Sequence, residues 1–258
     1  MTVSTNATSS KIAIVTGGSR GIGRDTVLNL ARRGVRSIFS YKADSVAAKD
    51  VERLAGEAGA TAVAVQLDVA DASTFDAFAV EVRRVLGELG AERFDYLVNN
   101  AGISSNSSFA DTTEAELDSL FAVHFKGPFL LTQALLPLMN DGGRIVNLSS
   151  GLARFAMPNR AAYGSLKAAV ESLTRYMAVE LAPRRIAANC VAPGAIATDF
   201  SGGIVRDNPQ VNKIVADNTA LGRVGLPEDV GPVIAGLLSA EFGWVNAQRI
   251  EVAGGVHI

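Results

Sequence analysis

The chain has 258 residues, 48% hydrophobic and 19% charged, which is enough for a globular core. Its 24 basic and 26 acidic residues give a formal net charge of −2, which offers no electrostatic footprint for nucleic acid or an anionic membrane. The single cysteine excludes an intrachain disulfide, and we see neither a signal peptide nor an apolar run of membrane-spanning length. We expect a soluble cytoplasmic protein, and we predict no metal site.

Short apolar segments alternate with segments of helical periodicity from residue 11 to the end, and residues 1–10 are expected to be a disordered tail. The predicted strands are Ile12–Thr16, Ser37–Tyr41, Thr61–Leu67, Tyr96–Asn99, Arg144–Ser149, Ile186–Val191 and Arg249–Val252. The predicted helices are Gly21–Arg33, Val46–Glu57, Ser73–Leu86, Glu114–Met139, Tyr163–Leu181 and Glu228–Leu238. This alternation predicts one α/β domain, residues 11–258, with a parallel sheet covered by helices on both faces.

Local signals refine two of these segments. Thr113 and Glu116 form a predicted capping box at the start of the fourth helix, and the glycines of "NDGGR" predict where it stops. Residues 195–226 show no clear pattern. A loop of that length in a compact domain is usually functional, so we predict a flexible lid over the substrate.

A glycine-rich turn joins the first strand to the first helix in "KIAIVTGGSRGIGR". Gly17, Gly21 and Gly23 follow the spacing G-x-x-x-G-x-G rather than the G-x-G-x-x-G of the general dinucleotide fingerprint. Glycines at this place let the backbone approach a diphosphate, which then binds the N–H groups at the helix N-terminus. A tight turn without a ligand is the alternative interpretation.

Four motifs taken together resemble those of the short-chain dehydrogenase/reductase family: "TGGSRGIG", "NNAG" at Asn99–Gly102, "YGSLK" and "PGAIAT" at Pro193–Thr198. They occur in that family's order and spacing, and the resemblance extends from Lys11 onward. It implies a doubly wound Rossmann fold with seven parallel strands and hydride transfer with a nicotinamide cofactor. It also implies a homotetramer or homodimer that pairs through the long helices Glu114–Met139 and Tyr163–Leu181.

The end of the second strand, "FSYK", indicates which nicotinamide cofactor is used. Ser40 and Tyr41 stand where an NAD-dependent enzyme usually has an acid that binds the ribose 2′-hydroxyl. Arg20 and Lys42 are placed to bind a 2′-phosphate through charge-assisted hydrogen bonds. We therefore predict NADP(H) rather than NAD(H). Solvated charges are the alternative, and Asp44 would weaken the prediction if the strand ended two residues later.

Further cofactor contacts come from the resemblance. Asp68 resembles the family position that contacts adenine, with capping of the "DVADAS" turn as an equal alternative. Asn99 resembles the residue beside the adenosine ribose, and it ends a strand where open α/β sheets bind ligands. The complete predicted cofactor set is Gly17, Ser19, Arg20, Gly21, Ile22, Gly23, Ser40, Tyr41, Lys42, Asp68, Val69, Asn99, Ala101, Gly102, Tyr163, Lys167, Pro193, Gly194, Ile196 and Thr198.

The segment "AAYGSLKAAV" carries the predicted chemistry. Tyr163 and Lys167 share a helix face, and Ser150 precedes them at the family's serine–tyrosine separation. The hydroxyls of Ser150 and Tyr163 are expected to bind a carbonyl, with Tyr163 as general acid and base. A unit charge about 4 Å away is worth about 4 kcal/mol at an effective dielectric near 20. We therefore expect Lys167 to lower the pKa of Tyr163 from about 10, and also to bind the nicotinamide ribose.

His124 departs from the family pattern, which commonly has asparagine at this position. In relatives that asparagine helps to hold a water that links the lysine to solvent, largely through its main-chain carbonyl. We include His124 among the catalytic residues and favour a supporting structural role in which this relay persists. The alternatives are a titrating relay member, because free histidine changes charge near pH 6.5, and a satisfied core histidine. His257 is expected to be unimportant.

These observations predict an oxidoreductase that transfers hydride between NADP(H) and a neutral ketone or secondary alcohol. The substrate is expected to lie between the loop "SGLARFAMPN" and the predicted lid, in a partly apolar pocket that includes Phe155, Met157 and Phe200. One alternative is a 3-oxoacyl-thioester reductase, whose carrier would bind a basic patch formed by Arg154, Arg160 and Arg206. Another is a non-catalytic NADP(H)-sensing protein.

Overall fold

Seven parallel strands form one sheet in a computed structural model that describes residues 11–257. The predicted tail, residues 1–10, lies outside the described residues. The strand order is β3-β2-β1-β4-β5-β6-β7. The strands are β1 Ile12–Val15, β2 Arg36–Tyr41, β3 Ala62–Gln66, β4 Phe94–Asn99, β5 Met139–Leu148, β6 Ala187–Pro193 and β7 Arg249–Val252. The predicted seven-stranded Rossmann sheet is confirmed.

Helices cover both faces of this sheet. They are α1 Gly21–Arg32, α2 Ser45–Ala58, α3 Phe75–Glu88, α4 Glu114–Phe121, α5 Gly127–Leu135, α6 Ala161–Glu180, α7 Ile204–Asp207, α8 Pro209–Asp217 and α9 Pro227–Leu237. Helices α1, α2 and α9 share a core on one face, and α3, α5 and α6 share a core on the other. Within residues 11–257, none of these helices has the length and apolar character needed to cross a membrane.

The strand β1 shows why its sequence is apolar throughout. Ile12 and Ile14 point into the core beneath α3, α5 and α6, whereas Ala13 and Val15 point into the core beneath α1, α2 and α9. Successive side chains of a strand alternate between faces, so a strand covered on both sides must be apolar at every position. The uninterrupted apolar sequence of β1 therefore correctly indicated that the strand is buried on both faces.

The predicted helix Glu114–Met139 is wrong in its extent. After α4 the chain makes a π-helical turn, Ala122–Lys126, then α5, and then a 3₁₀ turn, Leu136–Leu138. Pro137 lacks a backbone N–H and cannot continue the hydrogen bonds of α5, so the chain changes to the 3₁₀ turn there. The glycines of "NDGGR" consequently lie within β5. At the helix start, Thr113 caps α4 by accepting a hydrogen bond from the Glu116 N–H.

The segment 195–226 contains regular structure that the sequence analysis did not predict. A 3₁₀ turn, Phe200–Gly203, is followed by α7 and α8. The Asn208 side chain accepts hydrogen bonds from the N–H groups of Gln210 and Val211, and Pro209 occupies the first position of α8. Both features are common helix-start signals. The flexibility of this lid stays a prediction.

Candidate active site and cofactor cleft

The predicted site residues converge at one edge of the sheet. Because the strands are parallel, the carboxyl ends of β1, β4, β5 and β6 all meet there. Gly17 follows β1, Asn99 ends β4, Ser150 follows β5 and Pro193 ends β6. This edge includes the point where the strand order reverses between β1 and β4, which is where doubly wound sheets bind ligands.

The glycine-rich turn forms a tight cradle at the N-terminus of α1. Gly17 and Gly21 have φ angles of 65° and 55°, in the left-handed region that glycine adopts at little cost. A Cβ atom on Gly17 would lie 3.1 Å from the Cα of Ala101, and one on Gly21 would lie 3.3 Å from a methyl of Thr198. Within residues 11–257 no side chain caps α1, and its first turn has no acidic residue. Its first N–H groups therefore suit an anion such as a diphosphate.

Hydrogen bonds from neighbouring strands hold the cradle in place. The Ser40 hydroxyl accepts from the Gly17 N–H at 3.1 Å and so supports the turn, while its predicted contact with the cofactor stays a prediction. The Asn100 side chain donates to the carbonyls of Thr16 and Gly17 at 2.8 and 3.1 Å. The Thr16 hydroxyl accepts from the Ala101 N–H at 3.0 Å. Thr16 and Asn100 were missed by the sequence analysis, although Asn100 is the second asparagine of the quoted "NNAG".

Two residues with separate predicted roles form an ion pair. Lys42 Nζ lies 2.8 Å from a carboxylate oxygen of Asp68, whose other oxygen accepts from the Ala70 N–H at 3.0 Å. Partial burial raises the pKa of Asp68, but the hydrogen bonds with Lys42 and Ala70 outweigh burial, so the pKa lies below its ordinary value. Asp68 thus caps the "DVADAS" turn, and its contact with adenine stays a prediction. Arg20 is exposed, and its guanidinium has no hydrogen-bond or ion-pair partner within residues 11–257.

The three predicted catalytic side chains lie together at the start of α6. Tyr163 and Lys167 are buried, and Lys167 Nζ lies 5.6 Å from the centre of the Tyr163 ring. Lys167 Nζ donates to the Leu148 carbonyl at 2.8 Å. The Ser150 hydroxyl accepts from the Leu152 N–H at 3.2 Å and acts on Tyr163, whose pKa it lowers. One helix turn and one strand end therefore assemble two hydroxyls and an ammonium group.

Burial dominates the electrostatics of this cluster. It raises the pKa of Tyr163 to about 12, with the Ser150 hydrogen bond and the charge of Arg160 opposing it. It also lowers the pKa of Lys167 to about 8. The expected lowering of the Tyr163 pKa by Lys167 is therefore wrong for this structure, because desolvation disfavours both charged forms. The phenol is protonated at neutral pH, which suits a group that donates a proton.

His124 lies beside this cluster as a buried, neutral ring. It is 1% exposed, and its ring packs edge-on against Tyr163 with the ring centroids 5.2 Å apart. Burial and the charge of Lys167 lower its pKa to about 2. Nε2 lies 2.7 Å from the Ile103 carbonyl and 3.3 Å from the Ile103 N–H, so it donates to the carbonyl in one neutral tautomer and accepts from the N–H in the other. These contacts favour structural support over a titrating relay, and a catalytic contribution of His124 stays a prediction.

Comparison with known proteins identifies the family. A family model described as enoyl-(acyl carrier protein) reductase matches residues 17–257. A short-chain type dehydrogenase/reductase of Picea abies is 38% identical over 257 aligned residues, which cover 95% of this chain and 92% of the relative. The chain belongs to the short-chain dehydrogenase/reductase family. This short-chain dehydrogenase/reductase is thus an oxidoreductase, and the resemblance carried by its sequence motifs is confirmed.

Solved structures of other family members have the same fold. The promiscuous reductase LugOII, which catalyses keto-reduction at C1 during lugdunomycin biosynthesis, is 37% identical with a TM-score of 0.91, covering 96% of this short-chain dehydrogenase/reductase and 98% of the other chain. The angucycline C-6 ketoreductase LanV with bound NADP is 34% identical with a TM-score of 0.90, covering 95% of both chains.

The substrate pocket predicted from the sequence lies between segment 195–226 and the loop after β5, and it stays a prediction. Phe200 in the lid is half-exposed, and its ring centroid lies 6.1 Å from that of Tyr163. Phe155 packs against His257 near the C-terminus, with the ring centroids 4.4 Å apart. The exposed His257 therefore contributes a contact that the sequence analysis dismissed. Of these rings, Phe200 is the one that lies beside the buried phenol.

Proposed function

We propose that the protein reduces neutral ketones with NADP(H), and that Tyr163 donates the proton. The observation that carries the proposal is the buried, protonated phenol of Tyr163 between Ser150 and Lys167, at the sheet edge that also carries the glycine cradle. The names of LugOII, a keto-reducing enzyme, and LanV, a ketoreductase with bound NADP, support both the reaction and the cofactor.

The residues of the cradle fit a dinucleotide phosphate. The uncapped N-terminus of α1 suits the diphosphate, and the unpartnered guanidinium of Arg20 suits a 2′-phosphate. Lys42 is a weaker candidate for the 2′-phosphate because Asp68 already neutralises it. The close approach of Gly194 to Ala253, where a Cβ would lie 3.0 Å from the Ala253 Cα, agrees with a narrow nicotinamide side of the cleft. When bound, the cofactor supplies the hydride.

The side chains perform the acid half of the reaction. The hydroxyls of Ser150 and Tyr163 donate hydrogen bonds to the substrate carbonyl oxygen and stabilise the negative charge that develops there. Tyr163 then transfers its proton to this oxygen as general acid. The ammonium group of Lys167 stabilises the phenolate that remains, until the proton is replaced from solvent. In alcohol oxidation the same phenolate is the base.

A neutral substrate has more support than a carrier-bound thioester. Each of the three arginines that would form a carrier-binding patch is already engaged: Arg206 pairs with Asp199 at 2.6 Å, Arg154 pairs with Glu251 at 3.4 Å, and Arg160 donates to the Ser105 carbonyl. Patches of this kind attract partners through unpaired charge. The aromatic walls at Phe155 and Phe200 favour an apolar ketone instead.

The decisive experiment is NADPH oxidation with a panel of cyclic, aromatic and acyclic ketones and an acetoacetyl thioester. We expect turnover with ketones and a fall of at least about 10²-fold in kcat for Tyr163→Phe, with NADPH binding retained. Tyr176→Phe is the matched control, because Tyr176 lies exposed on the same helix. Full activity of Tyr163→Phe would refute the mechanism. Tight NADPH binding without turnover across the panel would instead indicate a sensing protein.

We further propose that the protein is a homodimer or homotetramer that works in the cytoplasm. The family resemblance supports self-association through the helices on either side of the π-helical turn. A stripe of aromatic side chains on α4, the π-helical turn and α5 supports the same face.

A further inference from the structure

A half-buried arginine lies directly behind the catalytic serine. Arg249 on β7 is 22% exposed at its side chain, and each of its three donor groups has a different acceptor. Nε donates to Glu171 at 2.6 Å, Nη1 donates to Glu251 at 3.0 Å, and Nη2 donates to the Ser150 main-chain carbonyl at 3.2 Å. The guanidinium therefore bridges two carboxylates and the backbone of a residue in the proposed reaction.

The same network reaches the helix of Lys167. Glu171 lies one turn after Lys167 on α6, and its carboxylate also accepts from the Ser149 hydroxyl at 2.6 Å. Arg249 and Glu251 are two residues apart on β7, so both lie on one face of the strand. Glu171 is 14% exposed at its side chain. The network therefore joins β7 to both the end of β5 and the middle of α6.

The planar geometry of the guanidinium restricts how Arg249 can be oriented between its three acceptors. Its donors are fixed in one plane, so Arg249 cannot shift toward one acceptor without weakening its bonds to the others. A lysine would keep the positive charge but has one ammonium group that cannot reproduce the planar arrangement. The two carboxylates fix the orientation of Arg249, and Arg249 in turn fixes the Ser150 carbonyl.

We propose that Arg249 is a positioning residue that, held by Glu171 and Glu251, sets the place of the Ser150 hydroxyl relative to Tyr163. This inference rests on the proposed function, in which Ser150 and Tyr163 share the substrate oxygen. Arg249 does not touch the substrate in this proposal. Its effect on the reaction passes through the main chain of Ser150.

A displaced Ser150 changes the acidity of Tyr163. The hydrogen bond from Ser150 lowers the pKa of Tyr163, so loosening it raises that pKa. The other groups that face the phenol are Lys167 and Arg160 from α6 and its start, and His124 from the π-helical turn. They are unchanged when Arg249 is replaced. Alcohol oxidation needs the phenolate, so its rate should then rise with pH at a higher midpoint.

The test compares Arg249→Lys with Arg184→Lys, and each variant keeps its charge. Arg184 is the matched control because it too is half-buried and binds a carboxylate and a carbonyl, those of Asp141 and Leu136, both at 2.8 Å. For Arg249→Lys we expect kcat to fall about tenfold with the ketone KM little changed, because catalytic groups lose alignment. The midpoint of alcohol oxidation should rise by about half a pH unit or more. Arg184→Lys should leave kcat and this midpoint unchanged.

A readout without turnover separates this inference from the proposed function. Hydrogen exchange of the peptide 149–155 reports the Leu152 N–H, which donates to the Ser150 hydroxyl. We expect faster exchange there in Arg249→Lys and no change in Arg184→Lys. A wild-type protein that reduces no ketone would refute the proposed function. Hydrogen exchange would still test whether Arg249 positions Ser150. Wild-type kinetics and exchange in Arg249→Lys, or equal effects in both variants, would overturn the role of Arg249.

Discussion

His124 links the stability of the fold to pH, because its ring is buried and neutral. The pKa is about 2 in the folded protein and about 6.5 in an unfolded chain, so below pH 6.5 the unfolded state binds a proton that the folded state does not. The stability of the folded protein therefore does not depend on His124 protonation above pH 6.5, and the free energy of unfolding decreases as the pH falls below 6.5. The loss is about 1.4 kcal/mol per pH unit, or about 2 kcal/mol at pH 5.

Urea unfolding from pH 4.5 to 7.5 tests this linkage. We expect the free energy of unfolding of His124→Asn to depend less steeply on pH than that of the wild type. His257→Asn is the control, because it removes the other histidine of the chain, which is exposed. The carboxylates contribute equally to all three proteins, so only the difference between slopes counts. Parallel curves for wild type and His124→Asn would show that the ring is charged or solvated in the folded state.

The two cations near the second strand should differ in their effect on the cofactor. We expect Arg20→Ala to raise the KM for NADPH about tenfold and to leave the KM for NADH within about twofold, because only NADPH carries the 2′-phosphate. Lys42→Ala should have a smaller effect, since Asp68 already neutralises the lysine. Steady-state kinetics with both cofactors measure this. Equal losses with NADPH and NADH in Arg20→Ala would contradict the assignment.

The relative positions of site residues were predictable where both residues belong to the same helix or strand. Tyr163 and Lys167 share a helix, so their spacing alone places them on one face. The Lys42–Asp68 ion pair could not be predicted in the same way, because it joins two loops whose distance depends on the pairing of β2 and β3. The Arg249–Glu171 pair was missed for the same reason, as its partners are far apart in sequence.

At the scale of elements, the predictions failed where local backbone geometry departs from a regular period. The residues of the π-helical turn Ala122–Lys126 fit a continuous helix by composition, and the extra residue in the turn leaves no sequence signal. β5 begins at Met139, earlier than predicted, because its pairing with β4 shifts between Phe94 and Tyr96 and tolerates the glycines there. The strands of regular register, by contrast, were located within a few residues.

Gly127 fixes the junction between the π-helical turn and α5. A Cβ on Gly127 would lie 2.6 Å from the Val69 carbonyl oxygen and 2.9 Å from that of Ala122, neither of which can move easily. We expect Gly127→Ala to destabilise the protein by about 1–3 kcal/mol, because the added methyl overpacks this contact. Because Val69 belongs to the predicted cofactor set, NADPH affinity should also fall.

Gly87→Ala is expected to have the opposite effect on stability, although Gly87 also lies in a helix. Gly87 is exposed on α3, and a Cβ there meets nothing within 4 Å. Alanine is the better helix former, so this variant should be more stable by about 0.5–1 kcal/mol. Thermal unfolding of both variants measures the contrast. A Gly127→Ala protein as stable as Gly87→Ala would show that the backbone around Val69 gives way without cost.

For the whole molecule, an aromatic stripe indicates where copies of the chain associate. Phe121, Phe125 and Phe129 follow one another at four-residue intervals, with ring centroids 5.7 and 6.2 Å apart. Phe121 and Phe129 are 42% and 40% exposed. Contiguous exposed apolar surface of this kind is typical of an interface. The stripe runs along α4, the π-helical turn and α5, within the segment that the family resemblance assigns to dimer contacts.

We expect the wild type to sediment as a homodimer or homotetramer, and Phe121→Glu/Phe129→Glu to sediment as a monomer, because two charges would be desolvated at the interface. Phe109→Glu is the control, since Phe109 is 87% exposed in the loop before α4. His124 lies between Phe121 and Phe125 on the same turn, and its ring packs on Tyr163. Loss of the interface should therefore also lower kcat, because the Tyr163 side chain would be held less rigidly. A monomeric wild type at micromolar concentration, or a double variant with unchanged mass, would place any interface elsewhere.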